Sequence, residues 1–287
     1  MIFLKNFKLL SEKEEGFILQ DDPRRIYNSY YPLGIFTRKD LKEIEFDNIT
    51  IFYGGNGSGK TTLLNLIADK VEATRKNIVD KGNLFKLYTK NCTEEWKSLK
   101  YDYVKMISSD DVFDYLLDIR AINSNVSRRK EDLSQEWVEN KYSRYNGFSS
   151  LDSYEDLKRM TDARKQTMSS YVRGRLSNNT IVEHSNGESA LMFWEKEILD
   201  NGLYILDEPE NSLSAENQIK LKKFIEESVR FFNCQFIIST HSPFLLGLDY
   251  AKIYNLDMVP AGVCKWSELD NVLTYYNFFK EREDDFE

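Results

Sequence analysis

Gly54-Gly55-Asn56-Gly57-Ser58-Gly59-Lys60-Thr61-Thr62 contains the pattern G-x-x-x-x-G-K-[ST], and the residues on either side supply the context that pattern requires. Ile49-Thr50-Ile51-Phe52-Tyr53 reads as a buried strand entering the loop. Thr61-Thr62-Leu63-Leu64-Asn65-Leu66-Ile67-Ala68 has the spacing of a helix leaving it. Strand, glycine-rich turn and helix in this order predict a phosphate-cradling loop rather than a chance glycine turn. Glycines let backbone N–H groups curl around an anion, and the helix N-terminus adds a dipole that favours negative charge. Residues 54–62 are therefore the expected nucleotide-binding segment. Within it Lys60 is expected to reach the β- and γ-phosphates and the Thr61 hydroxyl to bind Mg²⁺.

A chain of 287 residues has room for one large domain, or for a core carrying a sizeable insertion. Its 41% hydrophobic content can fill a substantial core, and 30% charged residues predict a highly solvated surface. No apolar run approaches the roughly 18 residues of a membrane span. Met1-Ile2-Phe3-Leu4-Lys5-Asn6-Phe7 lacks the pattern of a secretory leader, so no membrane association is expected. Cys92, Cys234 and Cys264 are odd in number and lack C-x-x-C spacing, which predicts reduced thiols in a cytoplasmic protein and argues against a disulfide or zinc framework. A net charge of −8 does not advertise a nucleic-acid binder, though it leaves room for a local basic groove. The acidic end from Glu281 to Glu287 reads as solvated and frayed.

Ile2 to Leu10, Gly16 to Gln20 and Ile44 to Tyr53 show strand character. A polar, lysine-bearing stretch follows the first helix to about Lys100, and Tyr101 to Ile107 reads as a further strand ending in Ser108-Ser109-Asp110-Asp111. From Val112 to about Asn179 proline is absent and charges of both signs interleave. Phe113, Leu116, Leu117 and Ala121 there share one helical face, which predicts a helical insertion with its break at Gly147-Phe148-Ser149-Ser150. Beyond it, Leu203 to Leu206 and Phe236 to Ile238 are short apolar runs of the kind buried parallel strands show. Between them Leu221, Phe224, Ile225, Val229 and Phe232 mark one face of a helix. The alternation predicts an α/β fold around a mostly parallel sheet. Its expected organisation is a first core half at 1–111, the insertion at 112–180 and a second core half at 181–287.

Leu203-Tyr204-Ile205-Leu206-Asp207-Glu208 is an apolar strand ending in two acids. At the carboxyl edge of such a sheet Asp207 is expected to hold the Mg²⁺ water shell, and Glu208 to polarise an attacking water as general base. Two acids capping a strand also occur as solvated loop residues. Their pairing with the loop at 54–62 favours the catalytic reading.

Taken with that loop, the order of motifs resembles the ATP-binding-cassette ATPases. His184-Ser185-Asn186-Gly187-Glu188 resembles their signature Leu-Ser-Gly-Gly-Gln and opens a helix through Leu191, Trp194 and Ile198. Asn211-Ser212-Leu213-Ser214 resembles their D-loop, and Ser239-Thr240-His241-Ser242-Pro243 their switch-histidine loop. The runs Leu206 to Ser214 and Ile237 to Pro243 are similar to those of soluble bacterial AAA family ATPases on the SMC-like side of the superfamily. The resemblance covers about residues 1–110 and 180–260. It implies a P-loop NTPase with an ABC ATPase-like core, a mostly parallel sheet, an N-terminal antiparallel β part and a helical insertion. ATP is the implied substrate and Mg²⁺ the implied cofactor. A homodimer with ATP in its interface is also implied, with Ser185 and Gly187 of one protomer reaching the γ-phosphate held by the loop of the other. His241 would touch that phosphate and the attacking water. Read without the family, Ser185 and Glu188 also fit an ordinary capping box, and His241 an incidental loop residue.

The signature departs from the family pattern at His184, Asn186 and Glu188, and no glutamine ends the strand 101–107 where cassette ATPases contact the metal and a coupled domain. Asp110 stands near that place, as a metal-water contact or as a helix N-cap. Tyr30, Tyr31 and Phe36 are candidates to stack on the adenine, or core residues. The favoured functional reading is an ATPase switch in DNA maintenance or defence against foreign nucleic acid, with DNA or a separately encoded nuclease or effector as candidate partner. The insertion from Val112 to Thr180 carries twelve Lys/Arg against ten Asp/Glu, a difference of +2, which is compatible with such a contact. The competing readings are the ATPase subunit of a membrane transporter, which the missing glutamine disfavours, and an ATP-binding scaffold.

Overall fold

The computed structural model describes residues 1–21, 30–76, 82–98, 100–142, 151–175 and 186–285. The chain runs β1 (Leu4–Lys8), α1 (Glu12–Asp21), β2 (Glu43–Glu45), β3 (Ile49–Tyr53), α2 (Lys60–Lys70), α3 (Gly82–Asn91), β4 (Thr93–Trp96), β5 (Tyr103–Ser108) and α4 (Ser109–Tyr142). It continues through α5 (Leu151–Lys165), α6 (Met168–Arg175), α7 (Asn186–Glu197), β6 (Gly202–Asp207) and α8 (Ala215–Phe231). The last elements are β7 (Gln235–Ser239), α9 (Pro243–Leu246), β8 (Lys252–Asn255), β9 (Gly262–Cys264) and α10 (Asp270–Lys280).

Among the described residues two compact units separate, one of residues 1–113 with 186–287 and one of residues 114–185. In the first, β3, β6 and β7 are buried at every position, as strands covered on both faces must be. They lie in a six-stranded sheet of order β5-β6-β7-β3-β8-β9, parallel except for β9 at the edge. A second, antiparallel sheet has the order β2-β1-β4. The expected α/β architecture, with a mostly parallel sheet and an N-terminal antiparallel part, is the observed one.

Gln235 joins the two sheets. Its side chain is fully buried at the start of β7. Oε1 accepts from Phe3 N at 2.8 Å and Leu4 N at 2.9 Å, and Nε2 donates to Leu4 O at 2.8 Å and Asp47 O at 3.0 Å. A buried amide that satisfies four backbone groups in this way replaces a ladder the two sheets do not share.

Five local expectations change. Gly16 to Gln20 is helical, within α1, because Glu12, Glu14 and Glu15 fill a first turn where acids favour the helix dipole. Ile44 to Tyr53 is two strands in different sheets, broken at Asp47 and Asn48, where Asp47 N donates to Thr50 Oγ1 at 2.9 Å. The polar stretch before Lys100 contains α3 and β4, and β4 pairs with β1. Of the residues meant to share a face in the insertion, Leu116 is buried whereas Phe113, Leu117 and Ala121 are exposed; Asp111 and Val112 are buried one turn before Leu116. In α8, Leu221 and Ile225 are buried, while Phe232 lies past the helix end and is exposed. The expected break at 147–150 falls outside the described residues.

The second unit packs α4, from Asp114 onward, with α5 and α6 around Trp137, Ala163 and Tyr171. Trp137 Nε1 donates to Gln166 O at 3.2 Å, and Tyr171 OH donates to Glu136 Oε1 at 2.9 Å. Each buried aromatic therefore keeps its polar end satisfied. Among the described residues no helix is long and apolar enough to cross a membrane.

Replacing Gln235 with alanine strands two buried N–H donors and two carbonyl acceptors. Gln235→Ala is expected to cost about 3 kcal/mol of unfolding free energy, read from urea denaturation.

Candidate functional site

β3 delivers the glycine-rich loop to the carboxyl edge of the sheet between β7 and β8. Gly57 and Gly59 have φ of 80° and 97°, in the left-handed region where side chains are strained. A Cβ on Gly59 would also stand 2.9 Å from Ile35 Cγ2. The loop is braced from within by Ser58 N donating to Gly55 O at 3.1 Å, and from the turn after β8 by Gly55 N donating to Asp257 Oδ2 at 2.7 Å. Gly54 is buried, whereas Gly55, Asn56 and Gly57 are exposed. Lys60 is buried, and its Nζ donates to Gly54 O at 2.7 Å and Gly55 O at 3.3 Å. Burial holds the Lys60 pKa below its usual value, opposed by the fields of Glu208 and Asp207. Ser58 Oγ is buried with no hydrogen-bond partner among the described residues, a polar atom left over in the cradle.

Asp207 ends β6 beside Ser239 at the end of β7. It is buried, and its Oδ1 accepts from Thr61 Oγ1 at 3.2 Å and from the Ser239 hydroxyl. Burial raises the Asp207 pKa and these two hydrogen bonds partly oppose the rise. Two hard oxygens facing each other at this distance suit Mg²⁺, which is usually held by one or two protein oxygens together with substrate phosphates and water.

Glu208 follows with φ of 49°, so the chain turns sharply and carries its side chain away from that of Asp207. Its Oε2 accepts from Asn211 Nδ2 at 3.2 Å, and its Oε1 lies 3.5 Å from His241 Nε2. His241 Nε2 is buried and lacks a hydrogen-bond partner among the described residues. Burial first, and then the Lys60 charge, lower the His241 pKa, so the ring is neutral at pH 7. The turn carrying His241 is held at its backbone. His241 N and Ser242 N donate to Glu210 Oε1 at 2.7 and 3.2 Å, and Asn271 Nδ2 donates to His241 O at 2.5 Å. A cleft of about 590 Å³ opens here, lined by Glu208, Asn211, His241, Phe244, Tyr275 and Phe279. A larger concavity of about 700 Å³ lies near the start of β3, at Asn48, Ile49, Lys223 and Arg230, away from the glycine-rich loop.

The structure thus brings residues 54–62, Asp207, Glu208 and His241 to one edge. Ser185 lies outside the described residues, and Gly187 is in the first turn of α7. Asp110 is exposed in the first turn of α4 and is not the cap: Ser108 N and Oγ donate to Asp111 Oδ2 at 2.8 and 2.9 Å. Among the candidate stacking residues, Phe36 is fully buried core. Tyr31 stacks on Phe85 at 5.7 Å and donates its hydroxyl to Thr62 Oγ1 at 3.0 Å, while Tyr30 is exposed. Ser239 and Glu210 lie in the motif runs without a role assigned from sequence, and Asp257 and Asn271 lie outside them. Asp257 had a weaker signal, an acid just after the mostly apolar run Ile253-Tyr254-Asn255-Leu256, in the way Asp207 follows Leu206. Asn271 had none, since only the fold carries α10 to the histidine.

Residues 117–246 match the family model described as AAA ATPase domain, a span that holds Asp207, Glu208 and His241 and leaves the glycine-rich loop outside. The lipoprotein-releasing system ATP-binding protein LolD of Buchnera aphidicola subsp. Acyrthosiphon pisum (strain APS) is 24% identical over 224 residues, covering 76% of this chain and 87% of that protein. Among solved structures, the SMC head domain from Thermotoga maritima is 12% identical, covers 91% of this chain and 98% of its own, and gives a TM-score of 0.35. Stu0660 of Streptococcus thermophilus is 15% identical, covers 83% of this chain and 76% of its own, and gives a TM-score of 0.40.

A buried carboxylate with a raised pKa costs stability at neutral pH. Asp207→Asn keeps acceptors for Thr61 and Ser239 without the charge, and is expected to stabilise the nucleotide- and metal-free protein by about 1 kcal/mol. As pH falls through the raised pKa, the folded wild type takes up a proton that the unfolded chain does not yet bind, and the gap closes. Urea midpoints of the two proteins between about pH 7 and about pH 4 measure this.

Proposed function

We propose that this chain, a P-loop ATPase of the ATP-binding-cassette type, hydrolyses ATP between two copies of itself and uses the cycle as a switch on their closure. The observation that carries this reading is the cluster at one sheet edge, with Thr61 bonded to Asp207 at 3.2 Å and Glu208 lying 3.5 Å from His241. Residues 54–62 bind the phosphates through backbone N–H groups, and Lys60 exchanges its carbonyl partners for phosphate oxygens. Thr61 and Asp207 hold Mg²⁺, which when bound neutralises charge on the phosphates. Glu208 takes a proton from the attacking water, and Asn211 orients the carboxylate that does so. On this reading neutral His241, whose Nε2 has no hydrogen-bond partner among the described residues, hydrogen-bonds the γ-phosphate or that water.

Ser185 and Gly187 act in trans on this reading; Gly187 lies in the first turn of α7, where a helix N-terminus favours an anion. A two-fold arrangement then makes two equivalent sites. Loss of the γ-phosphate removes the contact each signature makes with the partner's nucleotide and loosens the pair. The switch is read as serving DNA maintenance or defence against foreign nucleic acid, through DNA or a separate nuclease or effector. Location in the cytoplasm follows from that role.

A second reading is favoured by the similarity to LolD, whose name places it in a lipoprotein-releasing system. Here the dimer would drive a membrane partner. The strand that ends at Ser108 instead of a glutamine argues against that coupling. Co-purification with a membrane protein and no stimulation of turnover by duplex or single-stranded DNA would favour this second reading. DNA-stimulated turnover would favour the first.

Glu208→Gln is expected to slow hydrolysis by about 100-fold or more and to trap a dimer with ATP and Mg²⁺. A monomer in sedimentation at saturating ATP and Mg²⁺ would refute the sandwich. Lys60→Ala is expected to lose ATP binding in calorimetry, and wild-type affinity would remove Lys60 from the phosphate role.

A further inference from the structure

Glu210 stands between Glu208 and the loop 211–214 and takes no part in the reaction set out above. Its Oε1 accepts from His241 N at 2.7 Å and Ser242 N at 3.2 Å. Those N–H groups belong to the turn after β7, whereas Glu210 sits on the turn after β6, so one carboxylate spans two strand ends. From the other side Asn271 Nδ2 donates to His241 O at 2.5 Å, and Asn271 N is itself held by Tyr53 OH at 3.1 Å. His241 is therefore gripped at both its N–H and its C=O. Its ring has little freedom left beyond its own side-chain rotations, and it lies 3.5 Å from Glu208 Oε1. The residue after Glu210, Asn211, holds the other oxygen of Glu208 at 3.2 Å. Glu210 and its neighbour Asn211, the first residue of the loop 211–214, thus contact both halves of the Glu208–His241 pair.

We propose that Glu210 is a positioning residue for ATP hydrolysis, which by accepting the N–H groups of His241 and Ser242 sets the imidazole against Glu208 and links that setting to the loop 211–214. The inference rests on the ATPase reading of the site. One oxygen of Glu210 is taken by two N–H donors and the other is a buried atom, an arrangement suited to a tether rather than to a base. What the position needs is an acceptor at the reach of a glutamate side chain, and charge is secondary. Glutamine keeps that acceptor, and its amide nitrogen takes the place of Oε2, which is buried without a hydrogen-bond partner among the described residues. Aspartate keeps the charge but withdraws the oxygen by one methylene.

The test compares Glu210→Gln, Glu210→Asp and Glu210→Ala with wild type. The Gln variant is expected to keep kcat within about threefold, while the Asp and Ala variants lose about 100-fold through a displaced histidine. Affinity for ATP, measured by calorimetry, is expected to be unchanged in all three. The chain has two histidines, so the ring ¹⁵N resonances of His241 are readily assigned against those of His184. At fixed pH they are expected to move in the Asp and Ala variants and to stay in the Gln variant. An active Asp variant beside an inactive Gln variant would overturn the proposal, because charge would then be the requirement. So would wild-type turnover in all three, loss of ATP affinity in step with kcat, or His241 resonances that move in none. If Glu210→Ala does not fold, the Gln and Asp variants decide by themselves. If the wild type shows no turnover, the ATPase reading fails, and the His241 resonances still decide whether Glu210 holds the ring.

Discussion

Parallel pairing of β6 with β7, and of β7 with β3, is the constraint on which the rest of this protein depends. The register sets Asp207 beside Ser239 and Ser239 beside Phe52, with the glycine-rich loop starting at Gly54. Parallel strands end at the same edge, so three turns meet there that are 146 residues apart in the chain at Thr61 and Asp207. A slip of one residue in β6 would send the Asp207 side chain to the opposite face. Burial of every residue in β3, β6 and β7 opposes that slip, because apolar side chains on both faces would lose their packing together.

The same burial sets the electrostatics. It raises the pKa values of Asp207 and Glu210 and lowers those of Lys60 and His241, so each group is pushed toward its neutral form. Hydrogen bonds oppose the trend one by one: Thr61 and Ser239 for Asp207, backbone N–H groups for Glu210. Among the described residues His241 Nε2 has no hydrogen-bond partner, and the ring stays neutral, which suits the proposed contact with a phosphate oxygen or water. A site of this kind sits below the stability its sequence would otherwise reach, as functional sites commonly do.

Elements remote from the chemistry reach it through backbone contacts. Gln235 fastens the N-terminal sheet to the start of β7, the strand that ends at Ser239 and leads to His241. Tyr53, at the end of β3, holds Asn271, and Asn271 holds His241. β5 ends at Ser108, paired with Asp207, and α4 begins at the next residue and continues into the second unit. The covalent path into residues 114–185 therefore starts beside the acid of the site.

Much of this was written in the chain itself. The loop at 54–62, the acids at 207 and 208 and the histidine at 241 were legible because each lies next to a short apolar strand, and the signal is local. The buried strands were legible for the same reason. Tertiary structure decided the rest. Nothing local shows that Ile44 to Tyr53 feeds two sheets, or that Leu116 packs while Phe113 faces solvent. Nor could sequence show that Glu210 and Asn271 close on the backbone of His241. Hydrogen bonds between residues 30 or more apart depend on which strand ends are neighbours, and strand order is a property of the assembled sheet.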